Sequence, residues 1–234
     1  MFKKFKSPPE AETMPLYESM LTQTHVLIAG TTGSGKSVVL NGVMHQLLQR
    51  SPKAVDIIII DPKRIDFIKY KKLPHVLKYA NTPEKAKEAL SIAVNIMESR
   101  FRYCERKKTD KYPGIPVYII VDEFADLLTV KGIKDDIVKL GRLARAANIH
   151  LLIATQNPSR KVICAEIQAN FPSQLALRCR TAIESKQVIG QSGAELLPMH
   201  GKAYYYTPDE GRILYVDVPM VPESELKKII KYWR

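Results

Sequence analysis

Short apolar runs alternate along the chain with longer stretches in which apolar residues recur at helical spacing. Runs that are apolar on both faces are typical of strands covered by helices on either side, as in parallel sheets. The intervening stretches predict amphipathic helices, one of which begins at Thr82-Pro83-Glu84 with an N-cap, a proline in its first turn and an acid near the positive end of its dipole. The predicted strands are residues 25–29, 55–60, 117–121, 149–154 and 174–177.

The two ends of the chain depart from this alternation. Residues 1–20 contain a Ser-Pro-Pro sequence and little periodicity, which predicts an arm or linker from which Met14, Leu16 and Tyr17 dock on a single domain of residues 21–234. Residues 202–206 and 213–218 flank a turn-forming segment and predict a β-hairpin, after which Pro222 opens a last helix. For residues 64–78, which are basic with interleaved aromatic side chains, we expect a solvated surface segment, with nucleic-acid contact as the alternative.

The segment between the first strand and the first helix reads GTTGSGKS, the pattern of a phosphate-binding loop. Glycines let the backbone curl with its N–H groups around phosphates at the N-terminus of a helix. Lys36 would reach the β- and γ-phosphates of ATP, and the Ser37 hydroxyl would ligate Mg²⁺. A chance match is the alternative, but the flanking strand and helix argue against it. The predicted nucleotide contacts are Gly30, Thr31, Thr32, Gly33, Ser34, Gly35, Lys36, Ser37 and Val38.

Polar residues follow the third and fourth of the long apolar runs. Because the carboxyl ends of parallel strands meet at one edge of a sheet, we expect these residues near the phosphate loop. Asp122 would hold Mg²⁺ through water, Glu123 would polarise the water that attacks the γ-phosphate, and Gln156 would sense the γ-phosphate or that water. Acids also follow strands as helix caps, but the phosphate loop favours the catalytic interpretation.

The order of these elements predicts an α/β fold with a RecA-like P-loop ATPase core. Its mainly parallel sheet would be flanked by helices and would carry the nucleotide at the carboxyl edge, with the β-hairpin added at the C-terminal end. The pattern therefore predicts Mg²⁺-dependent ATP hydrolysis, and other features of the chain must identify the process that this hydrolysis drives.

The charge of the chain favours an anionic partner. Lys and Arg number 36 against 24 Asp and Glu, giving a formal net charge of +12. Such an excess indicates nucleic acid before an acidic membrane surface, with solubility alone as the alternative. The cysteines, Cys104, Cys164 and Cys179, show no metal-ligand spacing and are typical of reduced thiols in a cytoplasm. No apolar run is long enough to span a bilayer, so we expect a cytoplasmic protein without a membrane segment.

Five segments together resemble the motor domain of the FtsK/SpoIIIE DNA translocases. They are HVLIAGTTGSGKSVVLN, IIIIDPKRIDF, VYIIVDEFADL, ARAANIHLLIATQNPS and QSGAELL, and the likeness covers residues 21–218. The resemblance implies a homo-hexameric ring, assembled before or only upon DNA binding, with ATP at the subunit interfaces and double-stranded DNA in the central pore. In contrast to this chain, the family members that segregate chromosomes are expected to be longer, with membrane helices and a winged DNA-reading domain.

The resemblance therefore implies a stand-alone motor of a conjugative or other mobile element, with a relaxase or another transfer protein as a further partner. Two alternatives stay open. Motor domains of this family also occur in protein secretion systems, and a nucleotide-dependent adaptor could bind DNA or a relaxase without moving either. The basic charge of the chain favours DNA over protein as the substrate.

The same resemblance places the DNA contacts on two pore-facing loops. One contact falls on Lys186, in a Glu-Ser-Lys sequence where the family usually has Asp-Ser-Arg, and the other on Arg212 at the end of the hairpin loop. Lysine keeps the positive charge of arginine but cannot donate the pair of parallel hydrogen bonds that a guanidinium gives to a phosphate. Asp209 and Glu210 in the hairpin loop would repel phosphate.

The resemblance further implies that an arginine from the neighbouring subunit completes each ATP site of the ring, and this chain departs from the family pattern there. The family pattern Asn-x-Pro-x-Arg has Gln174 at its last position here. Arg178 is the first candidate for the missing cation, because an even spacing along a strand keeps it on the same face as Gln174. Arg142 and Arg145 are the alternatives.

Overall fold

The structure is a computed structural model that describes residues 11–12 and 14–234. Most of the predicted arm, residues 1–10 and 13, lies outside the described residues. The strands of the described part are β1 (His25–Ala29), β2 (Asp56–Ile60), β3 (Val76–Ala80), β4 (Val117–Val121), β5 (Ile149–Thr155), β6 (Ser173–Ala176), β7 (Lys202–Tyr206) and β8 (Ile213–Asp217). They form one sheet in the order β3-β2-β4-β5-β1-β6-β7-β8.

Helices cover both faces of this sheet. They are α1 (Leu16–Thr22), α2 (Lys36–Leu48), α3 (Pro83–Lys107), α4 (Phe124–Leu127), α5 (Ile133–Leu143), α6 (Ala165–Asn170), α7 (Ala182–Ile189) and α8 (Glu223–Tyr232). The hydroxyl of Thr82 caps α3 by accepting the N–H of Lys85 at 3.3 Å, as its sequence predicts. No helix in the described part of the chain is long and apolar enough to cross a membrane.

The sheet is parallel from β3 to β6, and β7 and β8 add an antiparallel hairpin at one side. Every residue of β1 and β4 is buried, because one apolar cluster packs on each face of the sheet. This arrangement confirms the predicted α/β fold with its mainly parallel sheet and C-terminal hairpin. At the carboxyl edge, Ala29 of β1 pairs with Thr155 of β5 and Ala176 of β6.

Helix α1 packs against α2 at a glycine. A Cβ on Gly42 would lie 2.2 Å from the ring of Tyr17, so the close approach of the two helices requires glycine there. Leu16 and Tyr17 are buried, in agreement with the predicted docking. The predicted boundary between arm and domain at residue 20 falls inside this helix.

The prediction of a solvated surface segment at residues 64–78 holds for exposed residues such as Arg64, Lys71 and Lys72 but was wrong for its aromatic side chains. The side chains of Phe67 and Tyr70 are fully buried, and β3, which was not predicted, forms an edge of the sheet. The reason is a buried carboxylate: Asp61 accepts the backbone N–H groups of Arg64 and Phe67 and the hydroxyl of Tyr79. These bonds fold the segment onto the sheet and turn its aromatic side chains inward.

Candidate functional site

The phosphate loop lies at the carboxyl edge of the sheet, between the end of β1 and the start of α2. The N–H of Gly30 donates to the carbonyl of Thr155 at 3.3 Å, which ties the loop to the neighbouring strand. Gly35 has a φ of +103°, and a Cβ on Gly30 would lie 2.7 Å from the Cβ of Leu177. The loop therefore has glycine where the curled backbone and the close neighbour demand it.

Lys36 is the first residue of α2, and its ammonium group lies inside the curl of the loop. Nζ donates to the carbonyl oxygens of Gly30 at 2.6 Å and Thr31 at 2.9 Å. Burial lowers the pKa of Lys36 to about 8, although the nearby carboxylates of Glu123 and Asp122 oppose this shift. Phosphate oxygens would compete with the two carbonyls for this buried cation.

The two predicted acids emerge from β4 at the same edge, and both are buried. Burial raises the pKa of Asp122 to about 6, and Lys63 opposes that rise while the carboxylates of Asp66 and Asp61 add to it. Negative charge is thus concentrated around Asp122. A cation bound there would relieve it.

The carboxylate of Glu123 accepts hydrogen bonds from β5 and forms an ion pair on its other side. Oε1 receives the hydroxyl of Thr155 at 2.7 Å, and both oxygens lie 3.0 Å from the backbone nitrogen of Gln156. Nζ of Lys63 lies 3.2 Å from Oε2. Each oxygen of this carboxylate has a donor, so its orientation is fixed.

Gln156 connects the acid to the phosphate loop. Its backbone nitrogen donates to Glu123, while its side-chain Oε1 accepts the hydroxyl of Thr32 at 2.7 Å. A phosphate entering the loop would reach one end of Gln156 while the other end holds the acid. This geometry suits the sensing role that the sequence predicts.

The residues predicted to hold Mg²⁺ have an additional acid beside them. The hydroxyl of Ser37 donates to Oδ2 of Asp66 at 2.6 Å, a contact that the sequence analysis missed. None of the described residues forms a group of three or more His, Cys, Asp or Glu side chains able to hold a metal ion. Mg²⁺ that binds together with a nucleotide needs only one or two protein carboxylates besides phosphate oxygens and water. Asp122 supplies such a carboxylate, and the hydroxyl of Ser37 is an oxygen ligand of the kind that accompanies it in phosphate-loop proteins.

A cleft of about 280 Å³ opens beside Glu123 and Gln156. It brings together two cations that the sequence analysis did not assign, Lys63 and Arg180. The available signal was position, because Lys63 follows β2 and Arg180 follows β6 at the carboxyl edge where the acids lie. The lining residues are Lys63, Glu123, Ala125, Asp126, Gln156, Asn157 and Arg180.

Arg178 lies beside the phosphate loop of its own subunit. Its carbonyl accepts the N–H of Thr31 at 2.7 Å, and its guanidinium donates to the carbonyl of Leu197 at 3.0 Å. Strand β6 ends at Ala176, so the even spacing from Gln174 does not by itself place the two side chains on one face. The action of Arg178 on a neighbouring subunit stays a prediction.

The two predicted DNA contacts lie on α7 and on the hairpin. The hairpin reverses the chain, so Arg212 lies at the sheet edge opposite the phosphate loop, where it shares a groove of about 500 Å³ with Gly190 at the end of α7. Lys186 is exposed one helical turn before Gly190. Arg212 also forms a two-pronged ion pair with Glu12, at 2.7 and 2.8 Å.

The acids of the hairpin loop differ in their surroundings. Oδ2 of Asp209 accepts the side-chain amide of Gln23 at 2.9 Å, which fixes it against the domain. Glu210 is exposed. Asp209 is exposed as well, so the predicted repulsion of phosphate rests on both acids.

The model of the FtsK/SpoIIIE family matches residues 4–114 and 103–160 of the chain. The DNA translocase FtsK of Leptospira interrogans serogroup Icterohaemorrhagiae serovar copenhageni (strain Fiocruz L1-130) is 38% identical over 228 residues, which are 88% of this chain and 24% of that protein. The DNA translocase SpoIIIE of Bacillus subtilis (strain 168) is 36% identical over 231 residues, 89% of this chain and 29% of that protein. The chain spans less than a third of the length of either relative.

Two solved structures are similar in fold. The pCW3 conjugation coupling protein TcpA, in its monomer form with ATPγS, has a TM-score of 0.78 at 22% identity over 92% of this chain and 66% of that one. The cytoplasmic domain of the type VII secretion ATPase EccC from Thermomonospora curvata has a TM-score of 0.76 at 24% identity over 90% of this chain and 28% of that one. These likenesses confirm the predicted P-loop ATPase fold.

Proposed function

Since the chain belongs to the FtsK/SpoIIIE family, we propose that it is a Mg²⁺-dependent ATPase that moves double-stranded DNA. The observation that carries the proposal is the hydrogen-bonded connection from the phosphate loop through Gln156 to Glu123. It joins a nucleotide-binding element to a buried acid of the kind that activates water. We place this activity in the cytoplasm.

In the proposed reaction the residues at the carboxyl edge have separate roles in binding phosphate, in binding Mg²⁺ and in activating water. Lys36 and the loop N–H groups bind the β- and γ-phosphates, and Ser37 and Asp122 hold Mg²⁺, which neutralises charge on those phosphates. Glu123 orients the attacking water and draws off its proton, as the bond between the γ-phosphorus and the bridging oxygen breaks and ADP leaves. Gln156 links the γ-phosphate site to Glu123 through its hydrogen bonds to Thr32 and to the carboxylate.

Of the proposed DNA contacts, Arg212 belongs to the opposite edge of the sheet and borders a groove with Gly190, and Lys186 is exposed on α7 one helical turn before that glycine. Arg212 must exchange Glu12 for a DNA phosphate. That separation suits a motor in which nucleotide and DNA bind to different faces and communicate through the sheet. The net charge of +12 supports a polyanionic substrate.

We further propose that the working form is a homo-hexamer, assembled before or only upon DNA binding. With Gln174 in place of an arginine, Arg178 remains the candidate for the cation that one subunit supplies to the next. A relaxase or another transfer protein would deliver the DNA in conjugation or in the processing of another mobile element.

The proposal predicts that duplex DNA stimulates ATP hydrolysis at low salt, and single-stranded DNA less. Backbone phosphates are what a moving motor can grip repeatedly, so the stimulation should be largely independent of sequence and should fall as salt rises. Steady-state ATPase rates with duplex DNA, single-stranded DNA and no DNA test this. Equal rates in all three would favour the protein-handling or adaptor alternative.

The same assay examines the two proposed contacts. Lys186→Ala and Arg212→Ala should each raise the duplex concentration needed for half-maximal stimulation and reduce the salt dependence, by about one unit of log–log slope per lost phosphate contact. Lys53→Ala removes an exposed cation in the turn between α2 and β2 and serves as the matched control. If the Lys53 and Lys186 variants lose stimulation equally, the contribution is net charge and the assigned contact is wrong.

A further inference from the structure

A short segment after β2, residues 61–66, touches two parts of the proposed active site at once. Asp66 accepts the hydroxyl of Ser37 at 2.6 Å, at the proposed Mg²⁺ site. Lys63 lies 3.2 Å from Glu123, the proposed water-activating acid. Asp61 is fully buried and anchors the segment through the backbone N–H of Arg64. The two contacts therefore come from one turn that Asp61 anchors.

The strand order explains why Glu123 needs a contact on this side. Glu123 follows β4, which lies between β2 and β5. From the β5 side its carboxylate receives the hydroxyl of Thr155 and the N–H of Gln156. Among the described residues, Lys63 supplies the hydrogen bond to this carboxylate from the β2 side. The acid is thus held between donors that arise from both neighbouring strands.

The two side chains of this ion pair differ in how deeply they are buried. The side chain of Glu123 is only 4% exposed, whereas that of Lys63 is 32% exposed. Without Lys63, Oε2 keeps only the N–H of Gln156, which it shares with Oε1, and the buried carboxylate loses its hydrogen-bonded countercharge, which is strongly disfavoured. Lys63 can withdraw its own charge toward solvent, so the arrangement matters more for Glu123 than for Lys63.

We propose that Lys63 is a positioning residue for Glu123, and that the segment 61–66 couples the orientation of this acid to the Mg²⁺ ligand Ser37. The inference rests on the proposed function, because it assumes that Glu123 activates water. Lys63 acts through the carboxylate and not on the nucleotide. When MgATP engages Ser37, Asp66 and Lys63 keep Glu123 aimed at the γ-phosphate.

The first test separates catalysis from binding. Lys63→Gln should lower kcat about 10- to 100-fold, since small misplacement of a catalytic group has effects of that size, while KM for ATP stays within about twofold. Lys63→Arg keeps a cation near Glu123 and should recover most of the rate. Lys72→Gln removes an exposed lysine just beyond the segment and should behave as the parent. Equal losses in ATP affinity and in rate for Lys63→Gln would overturn the inference.

The decisive test is a double-mutant cycle with Glu123→Gln, read out in single-turnover hydrolysis. If Lys63 works through Glu123, adding Lys63→Gln to Glu123→Gln should lower the residual rate by less than about twofold. A further loss equal to that in the parent background would mean that Lys63 acts on phosphate directly, which overturns the inference.

The cycle also separates this inference from the proposed function. Parent-like turnover in Glu123→Gln would remove the assumption on which both stand. A strong loss in Glu123→Gln beside parent-like turnover in Lys63→Gln would overturn the role of Lys63 alone. Thermal melting of each variant checks that it is folded. If Lys63→Gln does not fold, Lys63→Arg still allows the proposal to be tested.

Discussion

Replacing Glu123 with glutamine is expected to lower the rate of ATP hydrolysis by about 10²- to 10⁴-fold and to leave ATP binding intact. Glutamine keeps the shape of the side chain but cannot take a proton from water. The binding groups for phosphate are those of the loop and of α2, and this substitution removes none of them. Steady-state hydrolysis should be measured beside equilibrium binding of ATP.

The same substitution should also lower the free energy of unfolding by about 1–3 kcal/mol. Both oxygens of Glu123 accept hydrogen bonds, and the amide of glutamine must turn its NH₂ group toward one of the donors. Assays therefore belong well below the melting temperature of the variant. Glu88→Gln makes the same chemical change on the exposed side of α3 and is the control. Parent-like turnover in Glu123→Gln would end the assignment.

Replacing Lys36 with methionine is expected to abolish hydrolysis and to weaken ATP binding by about 10²-fold, the effect of losing a charge-assisted contact to phosphate. The nucleotide-free variant should nevertheless melt at a higher temperature than the parent. Burial lowers the pKa of Lys36 to about 8, so at pH 7 the folded protein holds an ammonium in a place that disfavours charge. Methionine fills the same space without that charge.

The gain in stability should be about 1–2 kcal/mol at pH 7, since the lost bonds to Gly30 and Thr31 offset part of it. It should shrink as pH rises from about 8 toward 10.5, because the folded parent can then release its proton while the unfolded chain still keeps it. Thermal melting of both proteins across this range measures the difference. A destabilised Lys36→Met protein at pH 7 would contradict this account of the loop.

The parts of the fold that the sequence predicts well are those in which local pattern and tertiary burial agree. Strands β1 and β4 have the predicted boundaries, because both of their faces are buried and every residue is apolar or enclosed. The phosphate loop, Asp122 and Glu123 could be placed together because parallel strands bring their carboxyl ends to one edge. Position along each strand was enough for those residues.

The segment after β2 could not be read in this way. Its alternation of basic and aromatic residues resembles a solvated surface, whereas the buried carboxylate of Asp61 folds it inward. The contacts of Asp66 with Ser37 and of Lys63 with Glu123 join residues 29 and 60 positions apart. No local spacing encodes such pairs, so both residues were missed.

Contacts between the ends of the chain were equally hidden. Helix α1 is too short to be stable alone and depends on packing against Gly42. Arg212 was predicted as a DNA contact from its loop, and its ion pair with Glu12 joins residues 200 positions apart. A partner at that distance has no signature in the hairpin itself.

Displacement of a triplex-forming oligonucleotide from duplex DNA tests most directly whether the protein moves along DNA. If the protein translocates, the parent should displace the oligonucleotide only with ATP and Mg²⁺. The Glu123→Gln variant, which still binds ATP, should not displace it. Duplex-stimulated ATP hydrolysis by the parent without any displacement of the oligonucleotide would contradict translocation and favour an adaptor that hydrolyses ATP in place.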